Sequence, residues 1–308
     1  HSLLAMRLVA RLRADRGIEL PLRALFAHPS PRSLARDLAT AAAEKMGYDP
    51  LLPLQTHGSE RPLFCVHPAG GSSTVFANIA NLLPDELPVY GMQAKALSDP
   101  SSRHSSVREM ADCYVNAMRN VQAKGPYRLL GWSFGGVILQ EMAAQLAAEG
   151  ETLEIGILLD SPLSGDDFSE PDHKDKVGRL TEYAEALGIF GKDLSEEAIK
   201  EAILLAAKRE GVMPAIAEIN DVDMMLEIMQ QAPTLMASWT GCPRLSAAIA
   251  FIRASDNART DLQDRLSQLT TGLVQIFDVP ATHNTMCDKD SSLNIARLVE
   301  EILKSVKC

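Results

Sequence analysis

Apolar runs of strand length recur through most of the chain after residue 60, and stretches with apolar residues at helical spacing lie between them. The pattern predicts strands over residues 62–67, 89–92, 127–131, 153–159, 247–253 and 273–279. It predicts helices over about 74–83, 105–123, 134–148 and 291–305. Because strands that alternate with helices form parallel sheets, the pattern predicts an α/β fold with helices on both faces of a mostly parallel sheet.

The alternation stops between residues 164 and 240, where the pattern is helical and contains no convincing strand. Residues 165–231 carry sixteen Asp and Glu against seven Lys and Arg, a net charge of −9. We interpret residues 164–240 as an insertion between two strands, placed over the sheet edge where an active site would lie. The charge is expected to belong to solvated helix faces, although an acidic insertion would also tolerate a cationic substrate chain.

The first 45 residues have a different character, with a net charge of +4. Leucines at helical spacing, with Arg side chains on the other face, predict a small helical unit with a small core. Its predicted helices cover residues 3–16, 22–26 and about 33–44.

Glycines and prolines mark residues 46–61 as a linker, so the large domain is predicted over residues 62–308. The chain also begins without methionine and enters a helical pattern at once. We therefore expect it to be a piece of a larger polypeptide.

Composition narrows the possible partners and compartments. Hydrophobic residues make up 46% of the 308 residues and aromatic residues only 5%, so the predicted core is aliphatic. The formal net charge of −10 argues against nucleic acid as a general partner. The five cysteines lack metal-ligand spacing, and neither a signal peptide nor a membrane-spanning apolar run is present. We therefore expect a protein of the reducing cytoplasm, without a metal site and without a membrane partner.

Candidate chemistry begins at residues 131–136, where Gly-Trp-Ser-Phe-Gly-Gly contains the G-x-S-x-G pattern. A predicted strand precedes it and a predicted helix follows, as the nucleophile turn of a serine hydrolase requires. Such a turn presents the serine at the amino end of a helix, where free N–H groups and the helix dipole favour negative charge. Ser133 is therefore the predicted nucleophile; in the alternative interpretation it only caps the helix.

The predicted general base must follow the nucleophile along the chain in this kind of fold. His283 comes directly after the last predicted strand and is the last histidine of the sequence. Two aspartates, Asp160 and Asp256, end or follow predicted strands between Ser133 and His283. Either carboxylate could orient the imidazole and stabilise its charge. The residue pattern leaves both open and slightly favours Asp160, which directly ends a buried strand.

The predicted oxyanion donors are the backbone N–H groups of Phe134 and Ala69. Ala69 belongs to His-Pro-Ala-Gly-Gly at residues 67–71, the loop after the first strand of the large domain, and its glycines allow close approach to a ligand. We interpret His67 as a structural residue of that loop. Together these parts predict acyl transfer, in which Ser133 attacks a carbonyl and a second nucleophile releases the acyl-enzyme.

The chain resembles the end of a nonribosomal peptide synthetase, where a peptidyl carrier domain precedes a type I thioesterase domain. Residues 63–71 and 131–136 are similar to the thioesterase signatures, and His-Ser-Leu-Leu-Ala at residues 1–5 is similar to the second half of the carrier attachment motif. The resemblance implies the α/β-hydrolase fold and a helical lid at about 164–240. It also implies that residues 1–45 are the C-terminal part of a carrier domain whose first helix is missing.

The resemblance further implies residue roles and partners. Ser2 matches the serine that carries covalent 4′-phosphopantetheine, which a phosphopantetheinyl transferase attaches; in the alternative interpretation Ser2 caps a helix. The family takes its acid from the strand after the nucleophile helix, and this moves the choice to Asp160. The implied substrate is a peptidyl or acyl thioester from upstream modules of the same synthetase, released by hydrolysis or macrocyclisation.

Two other functions are compatible with parts of the sequence. A free-standing serine esterase or lipase would use the same nucleophile, but the carrier-like residues 1–45 argue against it. A non-catalytic module that docks partner proteins would not need the order Ser133, Asp160, His283, which argues against that function.

Overall fold

A computed structural model describes residues 50–97, 102–164, 195–210, 217–257 and 259–306, together with isolated positions outside these ranges. The predicted helices of residues 1–45 and the predicted attachment serine, Ser2, lie outside the described residues, apart from positions 9 and 11. Much of the first half of the predicted insertion lies outside them as well.

The centre of the molecule is a seven-stranded sheet with the strand order β1-β3-β2-β4-β5-β6-β7. The strands are β1 (Leu51–Gln55), β2 (Leu63–Val66), β3 (Val89–Met92), β4 (Tyr127–Trp132), β5 (Leu153–Leu159), β6 (Ala248–Ala254) and β7 (Val274–Val279). All neighbouring pairs are parallel except β1 with β3. The predicted α/β fold is therefore confirmed, and the carboxyl ends of the parallel strands meet at one edge.

Helices cover both faces of this sheet. They are α1 (Ala77–Ala80), α2 (Val107–Arg119), α3 (Phe134–Ala148), α4 (Glu196–Glu210), α5 (Ile219–Met229), α6 (Gln231–Ala237), α7 (Leu262–Leu269) and α8 (Lys289–Ser305). Alternate side chains of each strand point to opposite faces. Leu129 accordingly packs in one core with α2, α3 and α7, whereas Leu130 packs in the other with α1 and α8.

The linker predicted over residues 46–61 is wrong in part, because β1 lies within it. Leu51 and Leu52 are buried and pair with β3 at the edge of the sheet. Pro53 donates no backbone hydrogen bond, and an edge strand tolerates that loss. The prolines of this segment therefore led to a predicted linker, although they lie in and next to an edge strand.

The predicted helix over 74–83 is also shorter in the structure. A 3-10 turn covers Thr74–Phe76 and α1 covers four residues, Ala77–Ala80. Ser106 begins α2 with a side-chain oxygen that accepts from the backbone N–H of Glu109 at 3.1 Å, so the predicted start at 105 was early by two residues.

The insertion lies between β5 and β6, and its described part contains α4, α5 and α6, as its pattern predicted. It has a small core of its own, in which Ile203 and Val222 are fully buried. Lys200 joins α4 to α5 through its ammonium group, which lies 2.8 Å from Asp223. No helix among the described residues is long and apolar enough to cross a membrane.

Candidate active site

Ser133 lies at the tight turn between β4 and α3, at the carboxyl edge of the sheet. Its backbone has φ 54° and ψ −123°, a conformation that non-glycine residues rarely adopt and that holds its side chain out of the turn. Gly135 makes this turn possible, because a Cβ there would lie 2.3 Å from the carbonyl oxygen of Val66. The backbone N–H of Ser133 donates to the carbonyl of Leu159 at 3.0 Å and ties the turn to the end of β5.

His283 follows β7 and begins a short 3-10 turn, His283–Thr285. Its Nε2 lies 3.1 Å from Oγ of Ser133 and its Nδ1 lies 2.7 Å from Oδ2 of Asp160. The indole ring of Trp132 lies beside the imidazole, with the ring centroids 6.1 Å apart. The structure thus brings the predicted nucleophile and base into hydrogen-bonding contact.

Asp160 directly follows β5 and has a left-handed backbone, with φ 41°. Its Oδ1 accepts hydrogen bonds from the side-chain amide of Asn257 at 2.6 Å and from the backbone N–H of Ala254 at 3.2 Å. Burial alone raises the pKa of this carboxyl, but the hydrogen bonds from His283, Asn257 and Ala254 outweigh burial and hold the pKa below its usual value. Asp160 is therefore a buried carboxylate that stays charged.

Asp256, the alternative acid, occupies a different position. Its carboxylate accepts from the backbone N–H of His283, at 3.1 Å to Oδ1 and 3.4 Å to Oδ2. The side-chain Nδ1 of His283 is hydrogen-bonded to Asp160 instead. Asp256 therefore holds the backbone of the loop that carries His283, and Asp160 is the carboxylate that contacts its imidazole ring.

The loop at residues 67–71 lies beside Ser133, and Ala69 lines the cavity above it. Among the described residues, no acceptor is hydrogen-bonded to the backbone N–H of Ala69 or of Phe134. Both groups therefore keep a donor without an acceptor inside the described residues, which an oxyanion hole requires.

His67 supports this loop from below and is 1% exposed. Its Nδ1 lies 2.6 Å from the carbonyl oxygen of Pro68, and its Nε2 lies 2.7 Å from the hydroxyl of Tyr114. Since a carbonyl only accepts, Nδ1 carries the proton and Nε2 accepts from the tyrosine. Burial lowers the pKa of His67 to about 4 against the opposing effect of the Pro68 hydrogen bond, so the ring is neutral, and both ring nitrogens are engaged in structural bonds.

The residue pattern did not point to Asn257 or Tyr114, although both hold the site together. Asn257 lies in the loop after β6, and Tyr114 lies on the buried face of α2, where an aromatic residue indicates only core packing. No group of three or more His, Cys, Asp or Glu side chains among the described residues is placed to hold a metal ion.

Chemically, the arrangement can move a proton and stabilise an anion. Nε2 of His283 can take the hydroxyl proton of Ser133, while Asp160 holds Nδ1 and balances the charge of the imidazolium. The backbone N–H groups of Ala69 and Phe134 are the candidate donors to a developing oxyanion. A cavity of about 600 Å³ opens above these groups, between the sheet edge and the insertion.

Comparison with known proteins assigns the chain to a family. Residues 61–303 match the model of the thioesterase domain, and residues 1–38 match that of the phosphopantetheine attachment site. The chain is 32% identical over 309 residues to malpinin synthetase of Mortierella alpina, covering 100% of the chain and 4% of that protein. It is 42% identical over 161 residues to a dimodular nonribosomal peptide synthase of Bacillus subtilis, covering 52% of the chain and 7% of that protein.

Solved structures share the fold at low identity. A holo four-domain nonribosomal peptide synthetase bound to AMP and glycine matches with a TM-score of 0.70 and 22% identity, over 98% of this chain and 24% of that one. The NocB thioesterase domain matches with a TM-score of 0.62 and 22% identity, over 82% of this chain and 99% of that one. The chain belongs to the thioesterase domain family, it also matches the phosphopantetheine attachment site ahead of that domain, and nonribosomal peptide synthetases are among its relatives.

Proposed function

We propose that this chain releases a carrier-bound peptidyl or acyl thioester through an ester intermediate on Ser133. The observation that carries the proposal is the continuous hydrogen-bonded chain from Ser133 through His283 to Asp160, at 3.1 and 2.7 Å. It lies at the carboxyl edge of the sheet, in a chain whose residues 1–38 match a phosphopantetheine attachment site. Asp256 is proposed to position the His283 loop and not to serve as the acid.

In the first half of the reaction, His283 Nε2 takes the proton of Ser133 Oγ while the oxygen attacks the thioester carbonyl carbon. The N–H groups of Ala69 and Phe134 donate to the oxyanion that forms. The carbon–sulfur bond then breaks, and His283 gives its proton to the departing thiolate. The product is an acyl ester on Ser133 and a free thiol on the carrier.

In the second half, His283 takes a proton from water, or from an amine or hydroxyl of the acyl chain itself. That nucleophile attacks the ester, the bond to Ser133 breaks, and His283 gives the proton back to Ser133 Oγ. Water yields a linear acid, whereas an internal nucleophile yields a macrocycle. The insertion over the site is the element proposed to admit or exclude water.

A thioester attached to the carrier domain can reach Ser133 without tight binding of the substrate to the thioesterase domain. Ser2 is the proposed attachment position, and phosphopantetheine there supplies the thioester on a flexible arm. Residues 1–45 are proposed as the C-terminal part of the carrier domain, and residues 164–240 as the lid. Upstream modules of one synthetase and a phosphopantetheinyl transferase are the proposed partners.

The direct test compares the wild-type chain with Ser133→Ala on synthetic peptidyl-pantetheine thioesters. Wild type should release thiol and form an acyl adduct on Ser133, seen by mass spectrometry of the intact protein, and Ser133→Ala should do neither. Ser267→Ala, at an exposed serine on α7, is the matched control and should behave as wild type. Turnover by Ser133→Ala at the wild-type rate would overturn the proposal.

Product and substrate comparisons address the alternatives. Linear acid and macrocycle differ in mass by one water, so mass spectrometry of the released product identifies the second nucleophile. A simple ester with the same acyl group should react more slowly than the pantetheine thioester. Equal rates would favour a free-standing esterase, and failure of a fluorophosphonate to label Ser133 would favour a non-catalytic module.

A further inference from the structure

Four methionines lie on one side of the cavity above Ser133. Its volume is about 600 Å³, within the range of sites that enclose a small organic ligand. On the insertion side it is lined by Met213, Met224, Met225 and Met229, together with three alanines, Arg209 and Asp221. Apolar side chains of the α/β domain, Val75, Leu97 and Trp132, also line it.

Two of these methionines lie directly over the loop that carries Ala69. A Cβ added at Gly70 would lie 3.2 Å from Cγ and 3.8 Å from Sδ of Met225, and 3.9 Å from Cγ of Met229. The glycine therefore allows α5 to rest on the loop. A thioester carbonyl at Ala69 would therefore lie next to the glycine that these two side chains cover.

Several polar groups that line the cavity are paired within the protein, whereas the indole N–H of Trp132 has no hydrogen-bond partner among the described residues. The hydroxyls of Ser72 and Thr74 lie 2.8 Å apart, in hydrogen-bonding contact. Asp221 accepts from the backbone N–H of Glu218 at 2.6 Å, as part of the cap of α5. Among the described residues of the insertion, Asp221 is the one acidic residue that lines the cavity, so the acidic surplus of the insertion lies elsewhere.

From these contacts we propose that the four methionines form the acyl-chain wall and select thioesters whose side chain next to the reacting carbonyl is apolar. This inference rests on the proposed function of Ser133. Methionine is unbranched and polarisable, and it adapts to apolar groups of different shapes. A charged side chain against the methionine side chains would lose hydration, and the charged lining residues Arg209 and Asp221 are already engaged in contacts within the protein. The wall thus discriminates by polarity more than by shape.

The test uses pantetheine thioesters that differ in one side chain, N-acetyl-leucyl, N-acetyl-asparaginyl, N-acetyl-aspartyl and N-acetyl-lysyl. Leucine and asparagine have similar shapes, so their comparison isolates polarity. We expect kcat/KM for the leucyl thioester to exceed that for the asparaginyl one by about tenfold or more, and the charged chains to react more slowly still. A lysyl thioester that reacts as fast as the leucyl one would overturn the proposal.

Variants then assign the discrimination to the wall. Met225→Gln, a change of similar length that adds an amide, should lower kcat/KM for the leucyl chain and reduce the preference over asparaginyl to within about threefold. Met225→Leu keeps the wall apolar and should retain the preference. Leu205→Gln, at a position that is 71% exposed on α4 of the same insertion, is the matched control and should also retain it.

Labelling of Ser133 by a fluorophosphonate separates this inference from the function on which it rests. If Ser133 is labelled and thioesters turn over but leucyl and asparaginyl chains react equally, the methionine wall is wrong and the proposed function stands. If no thioester turns over and Ser133 is not labelled, the proposed function itself fails. Because Met225 is buried, Met229→Gln at a partly exposed position repeats the test should Met225→Gln fail to fold.

Discussion

Replacement of Asp160 by asparagine tests the hydrogen-bonded chain most sharply, because it removes a charge without changing the shape of the side chain. In the wild type, both oxygens of Asp160 accept, so the proton of the neutral imidazole lies on Nδ1 of His283. Nε2 is then unprotonated and faces Oγ of Ser133. That tautomer is the one in which the histidine can act as a base.

In Asp160→Asn, an NH2 group replaces one carboxylate oxygen. This group faces either Nδ1 of His283 or the donors on the Oδ1 side. The Oδ1 side meets two donors, the backbone N–H of Ala254 and the amide of Asn257. The amide of Asn257 is itself oriented, since its oxygen accepts from the N–H of Arg259 at 3.0 Å. The new amide oxygen therefore stays on the Oδ1 side, and its NH2 group donates to Nδ1 of His283. The proton moves to Nε2, and the ring can no longer accept from Ser133.

The loss of the hydrogen bonds from Ala254 and Asn257 determines how far kcat/KM should fall. To restore the productive tautomer, the amide must flip, and its NH2 group then faces the buried N–H of Ala254 and the partly buried amide of Asn257. An unsatisfied buried donor costs about 1–3 kcal/mol, so the flip costs about 2–6 kcal/mol. At 1.36 kcal/mol for each tenfold change, kcat/KM should fall by about thirtyfold to more than about ten-thousandfold.

The assay is thiol release from a pantetheine thioester at neutral pH, together with the rate of Ser133 labelling by a fluorophosphonate. Asp256→Asn is the matched control, because its amide oxygen can still accept from the backbone N–H of His283; its kcat/KM should stay within about threefold of the wild type. The reasoning is refuted if Asp160→Asn retains more than a tenth of wild-type activity. It is also refuted if Asp256→Asn loses as much as Asp160→Asn.

Further predictions concern the support of the site and the opposite end of the sheet. Tyr114→Phe leaves Nε2 of buried His67 without its donor and should lower the free energy of unfolding, measured in urea, by about 1–3 kcal/mol; an unchanged value would contradict this role. The pKa of His67 is about 4 in the folded chain, lowered by burial from 6.5, so the unfolded chain binds more protons between these values. Stability should therefore fall as the pH drops through that interval, by up to about 3 kcal/mol from this group, and a His67→Gln variant should lack this component. Glu154→Ala removes a carboxylate 3.0 Å from buried Arg128, at the amino end of β4 and away from Ser133. Because Arg128 keeps Glu60 at 3.4 Å and the carbonyl of Arg61 at 3.2 Å, the change should cost about 1–3 kcal/mol of stability and leave kcat of the folded enzyme unchanged. A lower kcat, measured where the variant is fully folded, would contradict this prediction.

The amino-acid pattern predicted the central strands well because they are buried on both faces. Leu153–Leu159 and helix Phe134–Ala148 have the predicted bounds. It failed at Leu51–Gln55, where two prolines near a short apolar run gave the same signal for an edge strand as for a linker. Local composition does not reveal whether a neighbouring strand is present to pair with such a run.

The methionine wall was also beyond the pattern. Met225 and Met229 lie four residues apart on α5, a spacing that equally describes a buried helix face. Only the position of α5 over Gly70 turns that face into a cavity wall. The helical spacing predicts that α5 is amphipathic, whereas the loop on which α5 packs determines that its apolar face lines the cavity.

Residue order along the chain was enough to indicate a parallel sheet, a serine at a strand-to-helix turn and a histidine after the last strand, because each of these is a local pattern. It left Asp160 and Asp256 open, since both follow parallel strands that end at the same edge. In the tertiary structure the two aspartates have different partners. Asp160, whose backbone is left-handed, has its carboxylate 2.7 Å from the Nδ1 of His283, which is 123 residues away. Asp256 contacts His283 only at the backbone N–H. Contacts of this range depend on how distant loops are placed, and no neighbouring residue carries that information.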